Sequence, residues 1–94
     1  MSDNLLISQK NHRRLAESLV DRFAQRMRSG ELQRGEKLPA EVHIMRAEGV
    51  SRTVVRDALS RLQAAGLVET RHGVGTFVLD MPAPEGFNVG PATI

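Results

Sequence analysis

The stretch Gly49-Val50-Ser51-Arg52-Thr53 constrains this chain more than any other. It reads as a tight turn between two short helices. Gly49 ends the first. Ser51 opens the second as an N-cap, its hydroxyl placed to accept the amide N–H of Thr53 or Val54. Val50 and Val55 have the spacing of a hydrophobic staple across that cap. No capping box forms, because the third helical position is Val54. The β-branched run Thr53-Val54-Val55 is a mild helix liability, so packing must hold this helix in place. The helix runs to Gly66 and has two faces. Val55, Ala58, Leu59 and Leu62 make the apolar one, and Arg52, Thr53 and Arg56 make the polar one near the N-terminus.

The remaining elements follow from periodicity and punctuation. Asn11 is placed to cap a helix running to about Ser29, with Leu15, Leu19, Val20, Phe23 and Met27 as its buried stripe. Arg13, Arg14, Arg22 and Arg26 alternate with Glu17 and Asp21 on the wet side. Gly30 is a C′ residue. Residues 31–39 connect to the next helix, and Lys37-Leu38 can supply a very short strand. That helix begins near Ala40, a poor cap, and points Ile44, Met45 and Ala47 inward. Leu67–Arg71 and Thr76–Leu79 read as strands joined by His72-Gly73-Val74-Gly75, whose glycines supply the positive φ of a tight turn. The fold class expected is α+β, a winged helix-turn-helix: three helices plus a C-terminal β-hairpin wing. Residues 1–10 are expected as a flexible N-terminal arm and 11–79 as the domain. Residues 80–94, which hold Pro82, Pro84, Pro91, Gly86 and Gly90, are expected as a linker toward a further effector-binding domain.

Composition excludes several function classes. There is no cysteine, which removes disulfide scaffolds, Cys-based zinc fingers and thiol catalysis. Three Phe are the only aromatics, too few for a platform that stacks single strands or RNA loops. No run approaches the ~20 apolar residues of a membrane span, and the N-terminus lacks a signal-peptide pattern. The chain is expected to be soluble and cytoplasmic, with no membrane partner. His12, His43 and His72 show no metal-like spacing with carboxylates, and no nucleophile–base–orienter set is present. No enzyme activity, metal or cofactor is expected of this segment. Thirteen Lys+Arg against eleven Asp+Glu give a net charge of only +2, so the arrangement carries the argument. Eleven of those thirteen cations are Arg, the side chain whose planar fork grips phosphate and guanine edges.

In a helix-turn-helix the second helix enters the major groove and its first residues meet base edges. Arg52 and Arg56 lie on one helix face, where like charges repel by a few tenths of a kcal/mol (about 0.2–0.5). A polyanion would relieve that repulsion. The reading requires both guanidiniums to be held outward and free of carboxylates of their own fold. Thr53 joins them as a contact. Ser51 is a cap, alone or together with a phosphate contact at the positive helix end. Arg61, four residues after Asp57, reads better as a surface salt bridge than as a contact. At the wing tip Arg71, His72 and Gly73 are placed to track the adjacent minor groove. The candidate DNA-binding set is therefore Ser51, Arg52, Thr53, Arg56, Arg71, His72 and Gly73.

From Met27 to Val78 the chain resembles the DNA-binding domain of GntR-family bacterial transcription regulators. The residues that carry the resemblance include Gly30-Glu31-Leu32, Gly35-Glu36-Lys37-Leu38-Pro39, Gly49-Val50-Ser51-Arg52-Thr53, Val55-Arg56-Asp57-Ala58-Leu59, Gly66-Leu67-Val68 and Gly73-Val74-Gly75-Thr76-Phe77-Val78. The resemblance implies a repressor controlled by a small-molecule effector and bound as a homodimer to palindromic double-stranded operator DNA. Glu85-Gly86-Phe87 looks like the FadR-type branch, with a helical effector-binding second domain. Two departures stand out. The family's Ser-Glu-Arg is Ala40-Glu41-Val42 here, and Val42 cannot donate to DNA. Arg34 replaces a proline and is expected to reach a phosphate or lie free in solvent. This segment alone is expected to be monomeric or weakly dimeric. The alternative function is a winged-helix protein–protein interaction module, which would need an apolar patch on the third helix.

Overall fold

No proline or glycine precedes Gly30, and nothing interrupts a long first helix. In the computed structural model, which describes the backbone of residues 2–82 and side chains from residue 11 onward, α1 spans Ser2–Arg28. Residues 2–10, expected as a loose arm, are therefore helical, and Asn11 lies inside the helix instead of capping it. The buried stripe of α1 is Ala16, Leu19, Phe23, Ala24 and Met27. Leu15, expected inside, is 44 % exposed, and Val20 is only partly buried. Leu19, Phe23 and Met27 hold the centre of the stripe as expected, and its edges fall on Ala16 and Ala24 instead of Leu15 and Val20. Gly30 ends the run with φ 88°, and the Leu32 N–H returns to the Arg26 carbonyl at 3.0 Å.

The second helix, α2 (Glu41–Glu48), starts after Ala40, which makes no side-chain cap bond. Gly49 closes it in the left-handed conformation, φ 66°, and Val50 N–H donates to the Met45 carbonyl at 3.1 Å. Ile44 is buried as expected. Ala47 is exposed. Glu48 turns inward instead, its side chain 7 % exposed. Its carboxylate accepts from Arg22 and, at 3.2 Å, from Arg26. A carboxylate shielded this far from water needs such partners, and two arginines of α1 supply them. Chain spacing gave no sign of this tie between α1 and α2.

The third helix, α3 (Arg52–Ala64), begins at Ser51, whose Oγ accepts the Val54 N–H at 3.3 Å. Val54, Val55, Ala58 and Leu62 are buried, while Leu59 packs at the edge of the core. The helix ends in a Schellman motif. Leu67 N–H donates to the Leu62 carbonyl at 3.0 Å and Gly66 N–H to Gln63 at 2.9 Å.

The antiparallel hairpin pairs β1 (Val68–Arg71) with β2 (Gly75–Val78), Val68 opposite Val78 and Arg71 opposite Gly75. Gly75 thus lies in a strand, and the loop is His72-Gly73-Val74. Where a very short strand was expected, an isolated antiparallel bridge pairs Lys37 with Phe77, and Leu38 N–H donates to the Thr76 carbonyl at 2.8 Å. The architecture is the expected three helices and wing. One core joins Phe23 and Met27 of α1, Val55 and Leu62 of α3, and Val68 and Val78 of the hairpin. Most of the expected linker, residues 83–94, lies outside the described residues.

Leu62 is fully buried where these three elements meet. Leu62→Ala is expected to cost about 2–5 kcal/mol of unfolding free energy, by lost transfer and the cavity left behind. Urea denaturation followed by circular dichroism checks this.

Candidate nucleic-acid interface

Because α3 buries Val54, Val55, Ala58 and Leu62, its opposite face must look outward. Ser51, Arg52, Thr53 and Arg56 are all exposed. The side chains of Arg52 and Arg56 are 57 % and 66 % accessible. Ser51 acts as the cap, so its hydroxyl already accepts one hydrogen bond from the helix.

The requirement that the guanidiniums be free of their own fold's carboxylates is not met. Arg56 Nε–H donates to both oxygens of Glu41, at 3.3 and 3.2 Å. Arg52 Nε lies 3.8 Å from the same carboxylate. Glu41 sits in the first turn of α2, at the positive helix end that favours an anion. The i,i+4 repulsion between the two arginines is thus relieved within the fold, and it gives no evidence of a polyanion. The pairing does not sequester them, however. Among the described residues, no hydrogen bond engages the terminal amino groups of Arg52 or Arg56. Exposed ion pairs contribute about 0–1 kcal/mol, whereas a bidentate arginine–base contact supplies about 1–3 kcal/mol of discrimination.

The wing presents a different picture. Arg71 Nε–H donates to Glu69 Oε2 at 3.2 Å, and the guanidinium lies over the Phe77 ring, 4.5 Å from its centroid. It rests along the strand, below the tip. The tip is His72-Gly73-Val74, all exposed. Gly73 has φ 76°, a conformation in which a side chain is strained. Val74, not among the expected contacts, is 56 % exposed and is the most exposed large hydrophobic side chain among the described residues.

Helix and wing share one face. A groove runs between the hairpin and the start of α2, lined by Lys37, Ala40, Glu41, Arg71, His72 and Thr76. A second groove, lined by Glu41, Arg56, Gln63 and Thr70, joins α3 to the hairpin. Thr70 fixes the angle between them: its Oγ1 donates to Gln63 Oε1 at 3.1 Å and lies 3.2 Å from Thr76 Oγ1 across the ladder. Glu41 borders both grooves. The sequence marked it only as part of a family pattern; its central place comes from how α2 crosses α3.

Other polar groups are engaged in structure. Arg61 Nε–H donates to Asp57 Oδ1 at 3.0 Å, as the salt-bridge reading expected. His12 Nε2 of α1 lies 3.1 Å from the other oxygen, Asp57 Oδ2. Arg34 does not lie free: it donates to Asp80 Oδ1 at 2.8 Å in an exposed ion pair. Among the described residues no group of three or more His, Cys, Asp or Glu could hold a metal ion. No described helix is long and apolar enough to cross a membrane.

A three-helix core with a hairpin beside an exposed, arginine-bearing third helix defines the winged helix-turn-helix class of DNA-binding domains. The family is that described as bacterial regulatory proteins, gntR family, whose model matches residues 15–78; the chain belongs to it. The HTH-type transcriptional regulator YcbG of Bacillus subtilis is 33 % identical over 87 residues, covering 93 % of this chain and 37 % of that protein. The Exu regulon transcriptional regulator of Escherichia coli is 43 % identical over 67 residues, covering 71 % of this chain and 26 % of that protein. The chain therefore spans about a third or less of these relatives. Among solved structures, the DNA-binding domain of AraR in complex with operator ORR3 superposes with a TM-score of 0.66 at 30 % identity, covering 68 % of this chain and 77 % of that one. These relatives are regulators with a DNA-binding fold, not enzymes.

The Arg61 hydrogen bond holds the Asp57 carboxyl below its ordinary value, against a raising effect of burial and with further help from the Arg61 charge and from His12. A depressed carboxylate stabilises the fold above its unfolded-state value, about 3.9, and loses that contribution as pH falls through the lowered native value. Asp57→Asn is therefore expected to destabilise the domain at pH 7 by up to about 1 kcal/mol, given the pair's partial exposure. The difference from wild type should shrink toward zero in acid. Urea melts across the pH range read both.

Proposed function

We propose that this chain is the operator-reading domain of a metabolite-responsive transcription regulator, a repressor, and that it binds double-stranded DNA sequence-specifically. The observation that carries the reading is the outward seat of Arg52, Thr53 and Arg56 at the start of an α3 whose other face is wholly buried. The AraR domain, similar in fold and 30 % identical, forms complexes with its operators. Arg52 and Arg56 read base edges or flanking phosphates. Thr53 and the N-terminal amides of α3 support them, with Ser51 as cap and phosphate neighbour. His72, Gly73 and Arg71 serve the minor groove; Arg71 must swing off Phe77 to do so.

In this reading the full protein binds a palindromic site as a homodimer, and a small-molecule effector acts through a domain beyond residue 94. Membership of the FadR-type branch belongs to the same proposal. It rests on Glu85-Gly86-Phe87, which lie outside the described residues. The outward positions at the start of α3 are Arg52, Thr53 and Arg56, which suit DNA and not an apolar protein partner.

A duplex selected by the chain from a random pool provides the ligand for a test by fluorescence anisotropy. Arg56→Ala is expected to weaken binding by roughly 1–3 kcal/mol. Wild-type affinity should fall steeply with salt, by about 0.9 in log–log slope for each phosphate neutralised. Unchanged binding by Arg56→Ala would contradict the assignment of α3. Absence of any duplex binding at low salt would favour the protein-interaction alternative.

A further inference from the structure

Glu41 is the carboxylate shared by the two proposed DNA-reading arginines of α3, and a surface built only for affinity would not carry it. It approaches both Arg52 and Arg56 and borders the groove that leads to the wing. Its contacts engage the Nε of each guanidinium. Nε lies on one side of the planar fork. Fixing that side leaves the edge made by the two terminal amino groups without a hydrogen-bond partner among the described residues. That edge presents two parallel donors, the geometry that matches the O6 and N7 acceptors of guanine. The carboxylate also places a negative charge where a phosphate approaching the arginines would lie. A loosely docked, phosphate-only complex keeps that repulsion without gaining base contacts. A complex in register gains bidentate bonds that offset it.

We propose that Glu41 is a specificity-setting positioning residue, which aims Arg52 and Arg56 at base edges and penalises binding to duplex of the wrong sequence. The proposal rests on the DNA-reading role of α3 given above. Glu41 raises the ratio of specific to non-specific affinity at some expense of overall affinity. It acts through the arginines, so its effect must vanish when they are absent.

The experiment uses the 94-residue chain with two probes: the selected duplex and a shuffled duplex of the same composition. Glu41→Gln keeps shape and an acceptor but removes the charge; Glu41→Asp keeps the charge and withdraws it by one methylene. Glu41→Gln should bind shuffled duplex about three- to tenfold tighter, gain less or nothing on the selected duplex, and so lose discrimination. The salt slope on shuffled duplex should steepen by about 1–2, as two freed arginines neutralise phosphates. Glu41→Asp should fall between wild type and Glu41→Gln. In an Arg52→Ala/Arg56→Ala background, Glu41→Gln should no longer change discrimination. Equal shifts on both duplexes, no shift on either, or an effect that persists without the two arginines would overturn the proposal. The underlying reading fails separately: there, the wild type would not discriminate between the duplexes, or Arg56→Ala would leave binding unchanged. Thermal melts confirm that each variant is folded, and a variant that loses discrimination only by unfolding would also lose binding to both duplexes.

Discussion

The one-sided burial of α3 is the constraint on which the structure depends. Val55, Ala58 and Leu62 are sealed against Phe23 and Met27 of α1 and against the root of the hairpin. A helix locked along one stripe has no freedom to roll. Its N-terminal polar residues are therefore aimed by the core, and the weak helix propensity of Thr53-Val54-Val55 does not matter. The same core seats Val68 and Val78, so the hairpin takes its position from the residues that fix the helix. Thr70 and Gln63 then set the angle between them with side-chain hydrogen bonds.

Cations on the candidate face are already matched to local carboxylates: Arg52 and Arg56 to Glu41, Arg71 to Glu69. Each pair is exposed, and exposed pairs are worth little in water. They cost little to exchange for phosphate or base acceptors. Glu48 obeys a different rule. It is shielded from water, its two arginines come from α1, and it serves the fold.

Much of the fold was legible in the sequence because its signals are local. Ser51 as cap, Gly30, Gly49 and Gly66 as stops, and the paired glycines of the wing each depend on a few neighbouring residues. The hairpin and the third helix came from the same source. What escaped was set by distance. The arm became helix because no breaker opposed it, and the absence of a breaker is a weaker signal than a cap. Leu15 and Ala16 exchanged places because the stripe angle depends on what α3 presents opposite. Glu41 and Glu48 were opaque because their partners lie on other helices, Arg56 of α3 15 residues from Glu41 and Arg26 of α1 22 residues from Glu48. The candidate contacts on α3 proved outward as expected. That they would also be paired within the fold could not be read from spacing along a single helix.

In the proposed function, α3 and the wing form one surface that meets a duplex as a unit. Titrating the isotope-labelled chain with the selected duplex and following backbone amide resonances tests it most directly. The account predicts that the amides of Ser51 through Arg56 and those of His72 and Gly73 shift together, along one binding curve. Shifts confined to α1 around Leu15, with the start of α3 and the wing tip unmoved, would contradict it.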